Sequence, residues 1–272
     1  MADAEVPDLY LELLKKSLTN TLRPDPELVA VRPHDALRKS IVKALGAAGF
    51  VLTRSRENSV ERRAKGLDGD PRADTMIGIP RLDNIQHCVE TVIRDGVPGD
   101  LIEAGVWRGG AAVFMRAILK ARGVEDRIVW LADSFQGLPK PDAGRYPDDE
   151  GDIHHQYTWL AVTLDVVKDT FRRYGLLDEQ VRFLEGWFKD TLPNAPIKRL
   201  AVARLDGDMY ESTMDALTAL YPRLSVGGFV ILDDWQLIPN CRKAIEDFRA
   251  AQGITEPIQA VDGNAGYWRR VR

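Results

Sequence analysis

One stretch of the chain decides the fold. Residues 200–235 read LAVARLDGDMYESTMDALTALYPRLSVGGFVILDDW. Two apolar runs, at 200–205 and 228–232, each end abruptly in aspartate, and apolar residues recur between them at helical spacings of three to four. Strand, helix and strand in this order form a βαβ unit, so the sequence predicts a parallel sheet.

The aspartates that end these two strands are the first candidate site. Both carboxyl ends of a parallel pair lie at the edge where open α/β sheets bind ligands, so Asp206, Asp233 and Asp234 should converge there. Three carboxylates suit Mg²⁺ or Ca²⁺ better than zinc. The alternative that they only terminate strands and turns stays open. Asp208 with Glu211 fits a capping box for the next helix, so we leave Asp208 out of the metal set.

Composition limits the classes of protein to consider. The chain has 272 residues, 44% of them hydrophobic and 29% charged, as in a globular protein with one large domain and an extension. A net charge of −4 gives no basic face for nucleic acid, and no apolar run reaches membrane length. Cys88 and Cys241 match no metal spacing, which indicates free thiols. We expect a cytoplasmic protein without nucleic-acid or membrane partners.

The N-terminal region precedes any predicted strand. Residues 8–22 predict an amphipathic helix with Leu11, Leu14, Leu18 and Leu22 on one face. That face must pack on the domain or on a partner subunit. Residues 23–70 mix proline, charge and one apolar patch, which indicates a connection. We therefore expect an N-terminal helical extension and connection over 1–74 and the main domain over 75–272.

The first strand of the main domain breaks into a glycine turn, DLIEAGVWRGG at 100–110. A dinucleotide fold needs G-x-G-x-x-G there, and Trp107 would set an indole against the pyrophosphate. An NAD-dependent oxidoreductase is therefore the weaker alternative. Asp133 ends the next predicted strand, where a carboxylate can accept both hydroxyls of a ribose. This order of acid, glycine turn and acid is typical of S-adenosylmethionine-dependent methyltransferases.

A long polar segment follows the second of these strands. Residues 139–157 are rich in proline and glycine and are too long for a simple connection. Insertions of this kind at the ligand edge of a sheet often form lids. The segment carries His154 and His155.

The chain resembles a known family, the macrocin O-methyltransferases, which are Mg²⁺-dependent sugar O-methyltransferases of antibiotic biosynthesis. The motifs that carry the resemblance are TMIG at 75–78, GDLIEAGVWRGG at 99–110, ADSFQG at 132–137, RFLEGWFKDTLP at 182–193, LDGD at 205–208 and LDD at 232–234. They run from about residue 75 to the C-terminus, and residues 23–70 resemble the family less.

The resemblance implies an α/β fold of class I, the Rossmann-like S-adenosylmethionine-dependent methyltransferases. Its seven-stranded sheet has helices on both faces and an antiparallel last strand, and a helical N-terminal extension precedes it. The resemblance also makes Asp206, Asp233 and Asp234 ligands of Mg²⁺, and it implies a homo-oligomer. It places the cofactor S-adenosylmethionine against Thr75, Met76, Ile77, Glu103, Ala104, Gly105, Trp107, Asp133, Ser134, Gly137 and Trp187.

The expected reaction is transfer of a methyl group to a sugar hydroxyl of a glycosylated small molecule. A sugar hydroxyl is a poor nucleophile at neutral pH, and Mg²⁺ bound to two neighbouring hydroxyls would polarise it. Asp206 is the expected base, with His155 as the alternative that the family pattern favours, while His154 reads as an exposed loop residue. The main alternative is a catechol-type O-methyltransferase, which would have the same fold and would use the metal in the same way. Only the long motifs favour sugars.

Overall fold

The computed structural model of the protein describes residues 5–22, 27–31, 35–56, 60–67 and 72–272. Its strands are β1 Glu27–Ala30, β2 Thr53–Arg56, β3 Asp100–Ala104, β4 Val129–Asp133, β5 Val181–Glu185, β6 Leu200–Leu205, β7 Leu224–Leu232, β8 Gln259–Ala260 and β9 Gly266–Arg269. Its α-helices are α1 Val6–Leu18, α2 Ala36–Ala47, α3 Val60–Ala64, α4 Ile79–Arg94, α5 Gly110–Ala121, α6 Leu164–Arg173, α7 Phe188–Thr191, α8 Tyr210–Leu220 and α9 Pro239–Gln252.

The main sheet has seven strands in the order β5-β4-β3-β6-β7-β9-β8. The first five in this order are parallel, whereas β9 runs antiparallel to both β7 and β8. The predicted class I methyltransferase sheet with an antiparallel last strand is therefore confirmed. Because β3, β4, β6 and β7 are parallel, their carboxyl ends and the loops that follow them lie at one edge.

Helices cover both faces of this sheet, as predicted. Alternate side chains of a strand point to opposite faces, so each strand contributes to two cores. One core joins Leu101 of β3 and Val202 of β6 to buried residues of α1, α4, α5 and α6. The other joins Ile102 and Ala203 to α8 and α9. Burial on both faces explains why β6 is a continuous apolar run interrupted only by Arg204.

The N-terminal helix packs within its own chain. Leu11, Leu14 and Leu18 are buried and lie in the same core as residues of α4 and α5, while Leu22 lies beyond the helix and is 48% exposed. The intramolecular alternative is thus confirmed for these three leucines, and they are not available to a partner subunit.

The predicted connection over 23–70 contains regular structure. Its described parts form α2, α3 and an antiparallel β1–β2 pair separate from the main sheet. Residues 23–26, 32–34, 57–59 and 68–70 of that connection lie outside the described residues. Mixed polar and apolar composition did not reveal the pair of strands, because each is only four residues long.

Two expectations from composition can be compared with this structure. Cys88 and Cys241 are both free and buried, as expected. Within the part of the chain that the structure describes, no helix combines the length and apolar character of a membrane span.

Candidate active site

A cleft of about 730 Å³ opens at the carboxyl edge of the sheet. Among the residues that line it are these from the predicted cofactor and metal sets: Met76, Gly105, Trp107, Asp133, Ser134, Gly137, Trp187 and Asp206. Four other predicted cofactor residues, Thr75, Ile77, Glu103 and Ala104, are buried and are not among the described residues that line it. The cleft is lined by apolar side chains together with a few polar groups, as small-molecule sites are.

The turn after β3 touches the loop after β6. Gly105 has φ of +89°, and a Cβ at this position would lie 1.8 Å from the carbonyl oxygen of Asp206. Only glycine fits, because any side chain would collide with that backbone. The same turn continues through Trp107, whose φ is +45°. The predicted cofactor turn and the first predicted metal ligand are therefore in direct contact.

Asp133 ties two turns of the cleft together. Its Oδ2 accepts a hydrogen bond from the backbone N–H of Val106 at 2.7 Å, and its Oδ1 accepts one from Phe135 at 2.7 Å. Burial raises the pKa of this carboxyl, and these backbone hydrogen bonds oppose the rise. Each oxygen can accept a further hydrogen bond, so the predicted contact with a ribose stays a prediction.

Glu103 lies below the cleft and not on its wall. Its Oε1 accepts a hydrogen bond from Nη1 of Arg204 at 2.6 Å, and both side chains are 2% exposed. Its Oε2 is buried and has no hydrogen-bond partner among the described residues. Burial raises the pKa of Glu103 to about 8, with Arg204 opposing the rise and Asp206 and Asp233 adding to it. The structure gives Glu103 an ion pair with Arg204, and its expected contact with the cofactor stays a prediction.

Arg204 joins this acid to two others. Its Nη2 contacts Oδ2 of Asp206 at 3.1 Å and also pairs with Oδ1 of Asp233. The second oxygen of Asp233 accepts from Nη1 of Arg81 at 2.6 Å, and Nε of Arg81 pairs with Asp262 at 2.8 Å. Sequence reasoning missed both arginines. The available signal was an arginine inside the buried run LAVARL, which must find acidic partners.

The acids that come together are not the trio expected from the sequence. Asp206, Asp208 and Asp234 each offer one oxygen, and these oxygens all lie within 4.8 Å of one another. Oδ2 of Asp234 is buried and unpartnered in the described part of the chain. Asp233 is not a member, because its two carboxylate oxygens pair with Arg81 and Arg204. The metal assignment stays a prediction.

The capping box assigned to Asp208 is wrong. The N-cap residue of α8 is Met209, which has no side-chain cap, and Asp208 has φ of +55°. The carboxylate that accepts from the first N–H groups of the helix belongs to Asp149, at 2.8 Å from Tyr210 N and 2.8 Å from Glu211 N. Asp208 therefore does not cap α8, and its carboxylate belongs with those of Asp206 and Asp234 to what we call the acidic cluster.

Burial and mutual repulsion perturb the acidic cluster. Burial first, and the charge of Asp233 next, raise the pKa of Asp206 to about 6. Burial and the charge of Asp206 raise the pKa of Asp208 to about 7, and the pKa of Asp234 is raised well above its usual value by the same two causes. Arg204 reaches this cluster through Asp206. Two half-buried carboxylates, from Asp206 and Asp208, and the buried carboxylate of Asp234 with its unpartnered oxygen form a donor set that fits a hard divalent cation.

The two histidines of the 139–157 segment are placed differently from each other. His154 Nδ1 contacts Oδ2 of Asp152 at 2.7 Å. His155 Nδ1 is buried without a hydrogen-bond partner in the described ranges. Neither is among the described residues that line the cleft. His154 therefore pairs with an acid of its own segment, as a loop residue can, and the role of His155 stays a prediction.

Sequence reasoning also missed polar residues on the other side of the acids. Lys189, Glu211, Ser212 and Asp215 line the cleft. Glu211 is 3% exposed, and Lys189 Nζ lies 3.4 Å from its Oε1. Lys189 stands inside the motif RFLEGWFKDTLP, but nothing in the pattern of α8 distinguishes its cleft-facing polar residues from surface ones.

Comparisons with known proteins agree with this geometry. Residues 7–270 match the family described as Macrocin-O-methyltransferase (TylF). The chain is 51% identical over 263 residues to 8-demethyl-8-(2,3-dimethoxy-alpha-L-rhamnosyl)-tetracenomycin-C 4'-O-methyltransferase of Streptomyces olivaceus, over 96% of this chain and 92% of that one. It is 50% identical over 266 residues to mycinamicin III 3''-O-methyltransferase of Micromonospora griseorubida, over 97% of this chain and 96% of that one.

A solved structure is similar over the same length. The O-methyltransferase NovP matches with a TM-score of 0.85 and 47% sequence identity, over 98% of this chain and 100% of that one. The similarity therefore includes residues 23–70, which the motifs alone had left outside the family pattern.

Proposed function

The chain belongs to the macrocin-O-methyltransferase (TylF) family, which makes it an S-adenosylmethionine-dependent O-methyltransferase, and we propose that its acceptor is a sugar hydroxyl of a glycosylated small molecule in antibiotic biosynthesis. The names of two relatives state a rhamnosyl tetracenomycin and a mycinamicin as their substrates. The observation that supports the proposal is the contact between the Gly105 turn, where we propose that the methyl donor binds, and Asp206, which belongs to a cluster of acids.

The reaction needs positioning and removal of one proton. The acceptor oxygen forms a bond to the methyl carbon as the carbon–sulfur bond of the sulfonium breaks, which gives a methyl ether and S-adenosylhomocysteine. Holding the two reactants in line supplies a large part of the rate. The hydroxyl proton passes to a carboxylate, for which we propose Asp206, since it lines the cleft and touches the Gly105 turn. His155 is the proposed alternative, as a residue that closes over the acceptor.

We propose that Asp206 and Asp234 bind Mg²⁺ and that Asp208 is the third carboxylate. Bound there, the ion would supply a Lewis acid that lowers the pKa of a sugar hydroxyl. These three carboxylates would also fix the geometry of the part of the cleft where the acceptor binds. Asp233, the third member of the trio expected from sequence, would position Asp206 through their shared contact with Arg204.

A panel of acceptors separates this function from the catechol-type alternative. Labelled S-adenosylmethionine and Mg²⁺ are incubated with the protein and matched pairs of natural products, each with and without its sugar, together with simple catechols. We expect label on the glycosylated member only, and mass spectrometry of the released sugar should locate it. Label on catechols or on the sugar-free members would refute a sugar acceptor and leave the methyltransferase assignment intact.

We also propose that the protein is a homo-oligomer, as the family resemblance implies. The supporting feature is the outer face of α1, which leaves Val6, Leu9 and Leu13 exposed by 79%, 57% and 57%. Leu9→Glu with Leu13→Glu should then lower the mass measured by sedimentation. An unchanged mass for this double variant would remove α1 from the interface, and a monomeric wild type would refute the oligomer.

A further inference from the structure

Asp149 is a buried acid in an otherwise exposed segment. It lies between β4 and α6, in the predicted lid, and its exposure is 0%, whereas the next residue, Glu150, is exposed. Both of its oxygens are used, since Oδ1 accepts from Tyr210 N at 2.8 Å and Oδ2 accepts from Glu211 N at 2.8 Å.

These contacts replace a cap that α8 lacks. The first N–H groups of a helix have no partner within the helix, and Met209 at the N-cap position has no acceptor in its side chain. A carboxylate at this end also interacts favourably with the helix dipole. The 139–157 segment, which is distant in sequence, therefore supplies the N-terminal cap that the residues next to α8 do not provide.

The capped turn is adjacent to the acidic cluster. Only Met209 separates Asp208 from the first residue of α8, and Asp208 holds a φ of +55° that aspartate adopts only at some cost. Asp149 thus bonds to the first turn of the helix that follows Asp208.

Neighbouring contacts fasten the same part of the insertion to α8. Tyr146 Oη donates to Oδ1 of Asp215 at 3.2 Å, and the rings of Tyr146 and Tyr210 are 5.9 Å apart. Asp215 lines the cleft. Tyr146 and Asp149 therefore fasten this part of the segment to α8.

We propose that Asp149 is a positioning residue for the acceptor and metal side of the site. It holds the first turn of α8, and through that turn it holds Asp208 in the cluster with Asp206 and Asp234. This inference rests on the proposed function. Residues that orient metal ligands typically change metal affinity by 10- to 100-fold when they are removed, although they never touch the metal.

The test uses Mn²⁺ as a probe of the cluster, bound to the full-length protein with S-adenosylhomocysteine and followed by electron paramagnetic resonance. Asp149→Ala and Asp149→Asn are compared with Asp148→Ala, the adjacent acid, whose one ion pair to Lys243 is 3.9 Å long. We expect Asp149→Ala to weaken Mn²⁺ binding by at least about tenfold. Asp149→Asn should be milder, because its amide oxygen still accepts one of the two hydrogen bonds. Asp148→Ala should match the wild type.

Calorimetry with S-adenosylhomocysteine and thermal unfolding complete the comparison. The affinity for S-adenosylhomocysteine should stay within about twofold of the wild type in all three variants, because the Gly105 turn is not bonded to Asp149. If Asp149→Asn, which keeps the most native contacts, binds Mn²⁺ like the wild type while it unfolds at a lower temperature, Asp149 only stabilises the fold and the inference is wrong. A wild-type protein that binds no Mn²⁺ would instead refute the proposed metal site itself.

Discussion

Arg204 donates a hydrogen bond to Glu103 over 2.6 Å, and both side chains are 2% exposed. The pair links β3 to β6, the two strands that present the Gly105 turn and Asp206 to each other. A buried pair of this kind is expensive to break, because the partner left behind is a charge without solvent. The geometry of the cleft therefore depends on the buried ion pair between Arg204 and Glu103, which lies below it.

Arg204→Met should destabilise the protein. It would leave Glu103, Asp206 and Asp233 without this guanidinium, at a cost of about 3–5 kcal/mol in the free energy of unfolding. Urea unfolding followed by circular dichroism measures it. Glu103→Gln combined with Arg204→Met should recover part of the loss. The control is Arg242→Met, whose pair with Glu246 is exposed and worth about 0–1 kcal/mol. Equal losses for Arg204→Met and Arg242→Met would contradict this account.

Asp208→Asn and Asp233→Asn separate the structural trio from the one expected from sequence. If Asp206, Asp208 and Asp234 bind the ion, Asp208→Asn should weaken Mg²⁺ activation strongly, and Asp233→Asn should mainly lower stability. Asp206→Asn should be the most severe, since it removes a ligand and the proposed base. The measurements are the Mg²⁺ concentration for half-maximal activity and the unfolding temperature. The reverse order of Asp208→Asn and Asp233→Asn would restore the sequence-based ligand set.

The proposed magnesium site should depend on pH. The raised pKa values of Asp206 and Asp208, about 6 and about 7, mean that protons compete with the metal below neutral pH. Mg²⁺ affinity should therefore rise as pH increases from about 5.5 to 8. Without metal, the stability of the fold changes with pH in the opposite direction. The folded state holds protons on Asp206 and Asp208 that the unfolded state has released, so these two groups lower the free energy of unfolding as pH rises from about 4 to 7. Thermal unfolding with EDTA or Mg²⁺ across this range tests both, and a flat metal affinity would argue against ligation by these acids.

Gly105→Ala should disturb the methyl donor and the metal together. Its Cβ would lie 1.8 Å from the carbonyl oxygen of Asp206, so one of the two turns must move. The control is Gly123→Ala, which has a similar positive φ but nothing within 4 Å of its Cβ. Calorimetry should show weaker S-adenosylhomocysteine binding and weaker Mn²⁺ binding for Gly105→Ala alone. Parallel losses in both variants would mean that backbone strain, and not the contact with Asp206, is responsible.

We expect ligands to change the protease sensitivity of only one part of the 139–157 segment. Residues 146–149 are held by Asp149, whereas Arg145 is an exposed site for trypsin. We expect cleavage there without ligands and protection by S-adenosylhomocysteine with an acceptor. His155→Ala should lower turnover with little effect on cofactor affinity, and His154→Ala is its matched control. Identical cleavage in both states would contradict closure of the insertion.

Much of the fold could be predicted because its signals are local. The apolar runs of β3, β4 and β6 and the turn at Gly105 stand in consecutive residues, and parallel pairing then requires their carboxyl ends to meet at one edge. The pair β1–β2 was missed because two four-residue strands carry too short a pattern. In the same way, sequence spacing placed the acids at the right edge of the sheet, but it could not say which way each one points.

The sequence by itself determined a parallel α/β sheet, the edge that carries the cleft and the approximate site, because strand periodicity and glycine turns act over a few residues. The seven-stranded class was implied by the resemblance of its motifs to a known family. Only the tertiary structure decided that Asp233 faces Arg204 and Arg81, that Asp208 joins Asp206 and Asp234, and that Asp149 caps α8. The physical reason is that a charge or a free N–H group at the end of an element takes the nearest partner in space. Those partners come from strands and loops that are distant along the chain, so no local pattern contains them.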